Sequence, residues 1–336
     1  MLPILISMKS QIIRNLSKKL KLGVIAYKLY YAPKSFIQKL AHRSVFDMYA
    51  DFQGQLQMEK STYNLTTKFD VTQKDINALN IHFLTGRKFW YQTCFCAYSM
   101  SQQTNNILRP VIYDDGSLKK QHQEEIVRIF PNAKIILNSA IEEYIDRYLP
   151  QNKFPYLRER RLNYPHIRKI TDIHIGSQGW KLVLDSDMLF FRTPHVLMDW
   201  LNNPSQPCHM VDVQTAYGYS LDLMTTLANS VIPERVNVGI CGLKSEDIDW
   251  EKLEYWCKTM IEQQGTSYYQ EQALVAMLIA GKSCVIVPAK EYIVMPSCAE
   301  VIQPKAVLHH YVADSKSWYF RYGWKHIVQH NCKSLF

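Results

Sequence analysis

Two aspartates follow directly on the apolar run Trp180-Lys181-Leu182-Val183-Leu184, giving Asp185-Ser186-Asp187 and then Met188-Leu189-Phe190. An i, i+2 pair of carboxylates just past a strand can turn toward one ion, and oxygen ligands select hard divalent cations such as Mg²⁺ or Mn²⁺. An isolated Asp-x-Asp is more often a solvated turn. Its place after a strand separates this one, because ligands of open α/β sheets bind in the crevice beyond the carboxyl ends of the strands. Glu271 and Gln272 open a second chemical segment, Tyr269-Gln270-Glu271-Gln272-Ala273-Leu274, whose apolar residues continue at helical spacing to Ile279. A carboxylate or amide oxygen there could steady a positive carbon centre or orient a hydroxyl. A glutamate at a helix start also satisfies the helix dipole without any chemistry.

These residues need a frame that brings distant segments to one edge. From residue 78 onward short apolar runs alternate with helical periods, the pattern of an α/β layer fold with a largely parallel sheet. Strands are expected at Ile81–Thr85, Val111–Tyr113, Lys134–Leu137, Trp180–Leu184, Cys208–Val213, Val238–Leu243 and Val285–Val287. Helices are expected over Lys119–Phe130, much of 140–178, Ser245–Gln264 and Tyr269–Ile279. The aromatic run Phe89, Trp90, Tyr91, Phe95 and Tyr98 has the spacing of core rather than of a sugar platform. With no internal repeat and no Pro/Gly/Ser linker, residues 78–336 form one domain in this reading and residues 1–77 a basic, mainly helical extension.

The 336 residues are 47% hydrophobic and 21% charged, which excludes the low-hydrophobicity class of disordered chains. No run approaches the ~20 apolar residues of a bilayer span, and Met1–Ile6 lacks the apolar core of a signal peptide. The eight cysteines form no CxxC and no zinc-ligand spacing, so reduced, buried thiols in a cytoplasmic protein are expected. Residues 1–60 carry ten Lys/Arg against three acids, and so +7 of the formal charge of +9. Ile12, Ile13, Leu16 and Leu20 recur there at helical spacing among Lys and Arg, as in a basic amphipathic helix lying on an anionic membrane face. A helix covering the main domain is the plain alternative, and nucleic acid the less favoured partner.

Four segments in order resemble the nucleotide-sugar glycosyltransferases of GT-A fold, and within them glycosyltransferase family 8. The first is Leu182-Val183-Leu184-Asp185-Ser186-Asp187. The second is Val236-Asn237-Val238-Gly239-Ile240, similar to an Asn-x-Gly strand. The third is the acid-Gln pair Glu271-Gln272, with Glu where the family often has Asp. The fourth is His310-Tyr311-Val312-Ala313-Asp314-Ser315-Lys316-Ser317-Trp318, similar to His-aromatic-x-Gly-x-x-Lys-Pro-Trp but with Ala313 for Gly and Ser317 for Pro. Since Ala tolerates positive φ poorly, that loop is expected to run differently. The resemblance spans residues 80–320.

It implies a metal held by Asp185, Asp187 and His310, a donor set of two oxygens and one nitrogen that suits Mn²⁺ better than Mg²⁺. It implies Lys316 on the donor's phosphates, Arg168 or Lys169 against the diphosphate or sugar, and Asp212 on the donor sugar. Asn237, Glu271 and Gln272 would line the reacting sugar. Thr85 and Gly86, at the end of the first strand, are candidates for the nucleotide, although a tight turn explains Gly86 equally well. The expected activity is transfer of a sugar from a nucleotide-sugar, a UDP-sugar, to a hydroxyl acceptor with retention, the acceptor being a membrane-proximal or lipid-linked glycan. The rival readings are a nucleotide-sugar hydrolase and a degenerate GT-A domain that only binds a partner or membrane.

Overall fold

A computed structural model of the chain describes residues 44–67 and 78–333, with side chains to residue 329. The basic helix expected around Ile12–Leu20, and the membrane contact built on it, lie outside the described residues, as does the expected boundary at 77/78. The chain divides into two units between Gly54 and Gln55, a point inside the span of helix α1 (Val45–Thr62). In the first, Ser44 Oγ accepts from the Asp47 amide and donates to its carboxylate, an N-cap that starts α1.

The second unit follows the order β1 (Leu79–Thr85), α2 (Trp90–Gln102), β2 (Leu108–Asp114), α3 (Lys120–Ile129), β3 (Lys134–Ile136), α4 (Asn138–Tyr148), α5 (Pro155–Asn163), α6 (Arg168–His174), β4 (Trp180–Leu184). It continues with β5 (Met188–Phe190), α7 (His195–Asn202), β6 (Cys208–Val211), α8 (Leu221–Ala228), β7 (Val236–Lys244), α9 (Trp250–Gln264) and α10 (Gln270–Leu278). The last elements are β8 (Val285–Ile286), β9 (Tyr292–Val294), α11 (Cys298–Ile302), β10 (Leu308–His310), α12 (Lys316–Trp318) and α13 (Trp324–Lys333). A seven-stranded sheet has the order β3-β2-β1-β4-β7-β6-β8, parallel except where β7 pairs antiparallel with β4 and β6. A smaller sheet, β5-β10-β9, stands beside it.

Successive strand residues serve opposite faces, as the pleat requires. Leu182, Leu184, Ile81 and Phe83 enter one core with Trp90, Phe95 and Tyr98, while Val183, Val111 and Tyr113 enter the other with Ile141, Ile145 and the helix α10. The α/β class is therefore a mixed, mainly parallel sheet with a core on each face. Residues 58–67 are built into it: Met58 and Leu65 are buried, Trp90 Nε1 donates to Glu59, and Arg128 donates to the carbonyls of Thr62 and Leu65. The seven cysteines with described side chains are free thiols, five of them buried.

Most expected elements stand where the pattern put them, with three differences. The strand expected to Val213 ends at Val211, because Val211 lies opposite Val236, the first residue of β7, and the ladder has no further partner strand. The helix expected from Ser245 starts at Trp250, where Asp249 caps the Glu251 and Lys252 amides after a 3₁₀ turn. The small sheet was not anticipated at all, since its strands are three residues each.

Candidate active site

The antiparallel strand β7 runs backward through the sheet and so presents its first residues where β4 and β6 end. The Asp185 amide donates to the Gly239 carbonyl at 2.9 Å, and the Asp212 amide donates to the Arg235 carbonyl at 2.7 Å. Asp185, Asp212 and Asn237 thus share one edge. β5 turns directly after Asp187 and pairs with β10 so that His310 lies opposite Met188, and the Tyr311 amide closes the ladder on the Asp187 carbonyl at 2.9 Å. The short sheet that the apolar pattern did not reveal is what carries His310 to the aspartates.

His310 is 2% exposed, and neither ring nitrogen has a hydrogen-bond partner. Its Nε2 stands 3.4 Å from Asp187 Oδ1 and 3.6 Å from Asp185 Oδ2. The three candidate ligand atoms all lie within 4.8 Å of one another. A buried imidazole left without a hydrogen bond against two carboxylates is costly unless something else engages it, and a divalent cation fits that donor set. Gly239 makes the room, because a Cβ there would collide with the His310 ring and with Asn237 Oδ1.

Lysines flank the carboxylates. Lys169 Nζ contacts Asp185 Oδ1 at 2.6 Å and Glu271 Oε1 at 3.0 Å. Burial works against its charge, but Asp185 and Glu271 outweigh that and raise its pKa above the usual lysine value. Lys316 Nζ lies 3.0 Å from Asp187 Oδ2. Burial alone would raise Asp187, yet the adjacent His310 imidazole and then Lys316 hold it well below the usual carboxylate range. Glu271 behaves the opposite way: burial pushes it up to about 7 despite Lys169.

The third group is a polar lattice. Gln272 Nε2 donates to Asp212 Oδ2 at 3.2 Å and to the Ala216 carbonyl at 2.9 Å, leaving Oε1 as the atom it can offer. Asn237 Nδ2 donates to the same Asp212 oxygen at 3.0 Å, while its Oδ1 accepts from the Gly239 amide. α10 is buried on all sides, so the start of α10 is fixed by packing. Tyr164 adds to this by accepting from the Glu271 amide and donating to the Tyr268 carbonyl.

These groups line one cavity of about 360 Å³. It gathers Asp185, Asp187, His310, Lys169, Lys316, Asp212, Asn237, Glu271 and Gln272. Thr85, Gly86 and Arg168 are not in its lining. The Thr85 hydroxyl is bonded to Thr93, and Arg168 is spent on the Asp115 carbonyl, Asp172 and Asn138. Gly86 is explained by a neighbour: a Cβ would strike the Asp115 carboxylate. Of the basic pair on α6, Lys169 is the one that faces the cavity. Ala313 keeps a left-handed φ of 47°. An alanine thus holds a conformation that L residues disfavour, at a strain cost of about 1–2 kcal/mol. Sequence reasoning missed His166, Tyr268 and Tyr269, which also line the cavity. The Tyr-Tyr pair directly before the acid-Gln segment was the available signal.

No family model matches the chain, and no curated protein matches it. Among solved structures, a complex of the galactosyltransferase LgtC with donor and acceptor sugar analogues aligns with a TM-score of 0.49 at 14% identity, over 76% of this chain and 95% of that one. An active-site mutant of LgtC aligns with a TM-score of 0.50 at 13% identity over the same shares. The apo form of mouse xyloside xylosyltransferase 1 aligns with a TM-score of 0.45 at 10% identity, over 69% of this chain and 97% of that one. At these identities the likeness is one of fold, and the fold is GT-A.

Proposed function

We propose that this chain is a divalent-metal-dependent glycosyltransferase that moves a sugar from a nucleoside diphosphate donor to a hydroxyl acceptor. The observation that carries the reading is the buried, hydrogen-bond-free imidazole of His310 set against Asp185 and Asp187 at the carboxyl edge of the sheet. When bound by these three residues, Mn²⁺ or Mg²⁺ supplies Lewis-acid stabilisation of the charge on a diphosphate leaving group. Lys316 adds a positive charge beside the same position. Lys169 holds Asp185 by one oxygen, which leaves Oδ2 directed at His310. Asp212, Asn237 and Gln272 form a fixed set of donors and acceptors for sugar hydroxyls, with Gln272 Oε1 free to face the anomeric centre. The choice of UDP and of retention rests on the family 8 resemblance alone.

The rival reading, a degenerate binding domain, drew its support from Ala313 and Ser317. Ala313 adopts a left-handed φ of 47°, a region glycine enters without strain, so the replacement of Gly by Ala has not closed that conformation to the loop. Incubating the protein with a panel of nucleotide sugars and Mn²⁺ and following free nucleotide tests the proposal. One donor is expected to release nucleotide, faster with a hydroxyl acceptor than with water, and Asp187→Ala should lower that rate by about hundredfold or more. Release that survives Asp187→Ala would remove the metal assignment. Release that no acceptor accelerates would favour a hydrolase.

A further inference from the structure

A second cavity, of about 310 Å³, opens on the other end of the same sheet. Its floor is one face of the central strands. Register sets Asn80 opposite Arg109, and His82 opposite Val111, which pairs in turn with Lys134. Because Ile81 pairs with Leu182, Lys181 falls beside Asn80 on that face. Three cationic side chains and an imidazole therefore line one face between α4 and α6. Lys181 precedes Asp185 by four residues, about 13 Å along the strand, so this cavity is separate from the site at the carboxyl edge.

The two lysines here are not neutralised from within. Lys181 is 8% exposed, and among the described residues neither its ammonium nor that of Lys134 has a hydrogen bond or ion pair. Glu246, whose charge favours the ammonium of Lys181, is committed to Lys244 at 3.4 Å and to the Gly179 amide at 2.7 Å. The one carboxylate in the lining, Asp172, is saturated by Arg161 and Arg168. His82 is 5% exposed, and its Nδ1 has no partner. Burial and the charge of Lys134 both lower the Lys181 pKa, as expected of two cations brought together in a partly buried cavity. Tyr113, Ile141 and Tyr144 supply an apolar and aromatic wall.

We propose that this cavity is a second ligand site, taking a phosphate-bearing small molecule with its anion between Lys181, Lys134 and His82 and an aromatic or apolar body against Tyr113, Ile141 and Tyr144. The assignment is independent of the transferase reading, since no residue of that site contributes to it.

Calorimetric titration with phenyl phosphate and with inorganic phosphate, in the presence of a chelator and against acetate at matched ionic strength, tests it on the full chain. Both phosphates should bind and acetate should not. Lys181→Met and Lys134→Met should each weaken binding by about tenfold or more, while Lys316→Met, in the other cavity, should leave it unchanged. Lys134 lies at the exposed rim, so its substitution leaves the core intact and keeps the test decisive if Lys181→Met folds poorly. No binding by either phosphate, or binding that Lys316→Met removes and Lys134→Met leaves intact, would overturn the proposal.

Discussion

At the scale of single residues, the site is a set of groups pushed away from their ordinary protonation behaviour in opposite directions. Glu271 has its pKa raised by burial from 4.5 to about 7, so the folded protein holds that proton more tightly than the unfolded chain does. Stability from this group is full in acid and falls as pH rises from about 4.5 through 7. In metal-free protein the melting temperature of Glu271→Gln should gain on wild type between about pH 5 and pH 8, by up to about 3 kcal/mol of stability. A difference that stays flat across that range would contradict the buried-carboxylate assignment. Asp187 has the reverse sign, since its lowered pKa makes its contribution one that acid removes. Ala313 offers a cleaner probe, because relief of its left-handed backbone by Ala313→Gly should raise unfolding stability by up to about 1 kcal/mol in a urea titration. Asp185, Asp187, Glu271 and Gln272 stood out in the sequence by type and spacing, whereas His310, Lys316, Lys169, Asp212 and Asn237 entered through the family 8 resemblance. Thr85, Gly86 and Arg168 were not separable from Lys169 in the same way. Which neighbour takes a side chain depends on Thr93, Asp115 and Asp172, all remote in sequence from at least one of them.

At the scale of elements, two devices set the geometry. The first is α6, whose Lys169 reaches the site and whose Asp172 is buried between Arg161 and Arg168 at 2.6 Å each. Removing that carboxylate leaves Arg161 with Glu142 alone and Arg168 with only the neutral Asp115 carbonyl and Asn138. Asp172→Ala should therefore cost about 3–5 kcal/mol in chemical denaturation; a cost below about 1 kcal/mol would show that the helix is held by packing alone. The second device is the β5–β10 pairing that delivers His310. β4 could be read from sequence because five strand residues end in acid. β5, β9 and β10 could not, since three residues carry no period and these strands exist only because the chain returns to pair with itself. The His310 segment was found through its motif, before the strand that positions it was known.

At the scale of the whole molecule, the alternation of apolar runs and helical periods was enough to specify a layered α/β fold, and the two cores on either face of the sheet follow from the pleat. What the alternation did not show is that β7 is antiparallel. Direction is set by connections across the sheet rather than by composition, and it is this reversal that brings Asn237 and Gly239 to the edge where Asp185 and Asp212 emerge. The resulting cavity collects three aspartates, two histidines and two lysines from four separate stretches of chain. The account stands on that cavity's binding a divalent cation and a nucleoside diphosphate together. The most direct test is the melting temperature of wild type and Asp187→Asn with UDP, with Mn²⁺, and with both. The account predicts that wild type rises well beyond either single addition only when both are present, by about 2.7 kcal/mol of stability at a hundredfold excess over the dissociation constant, and that Asp187→Asn loses this rise. A rise with UDP that is indifferent to Mn²⁺, or one that Asp187→Asn retains in full, would contradict it.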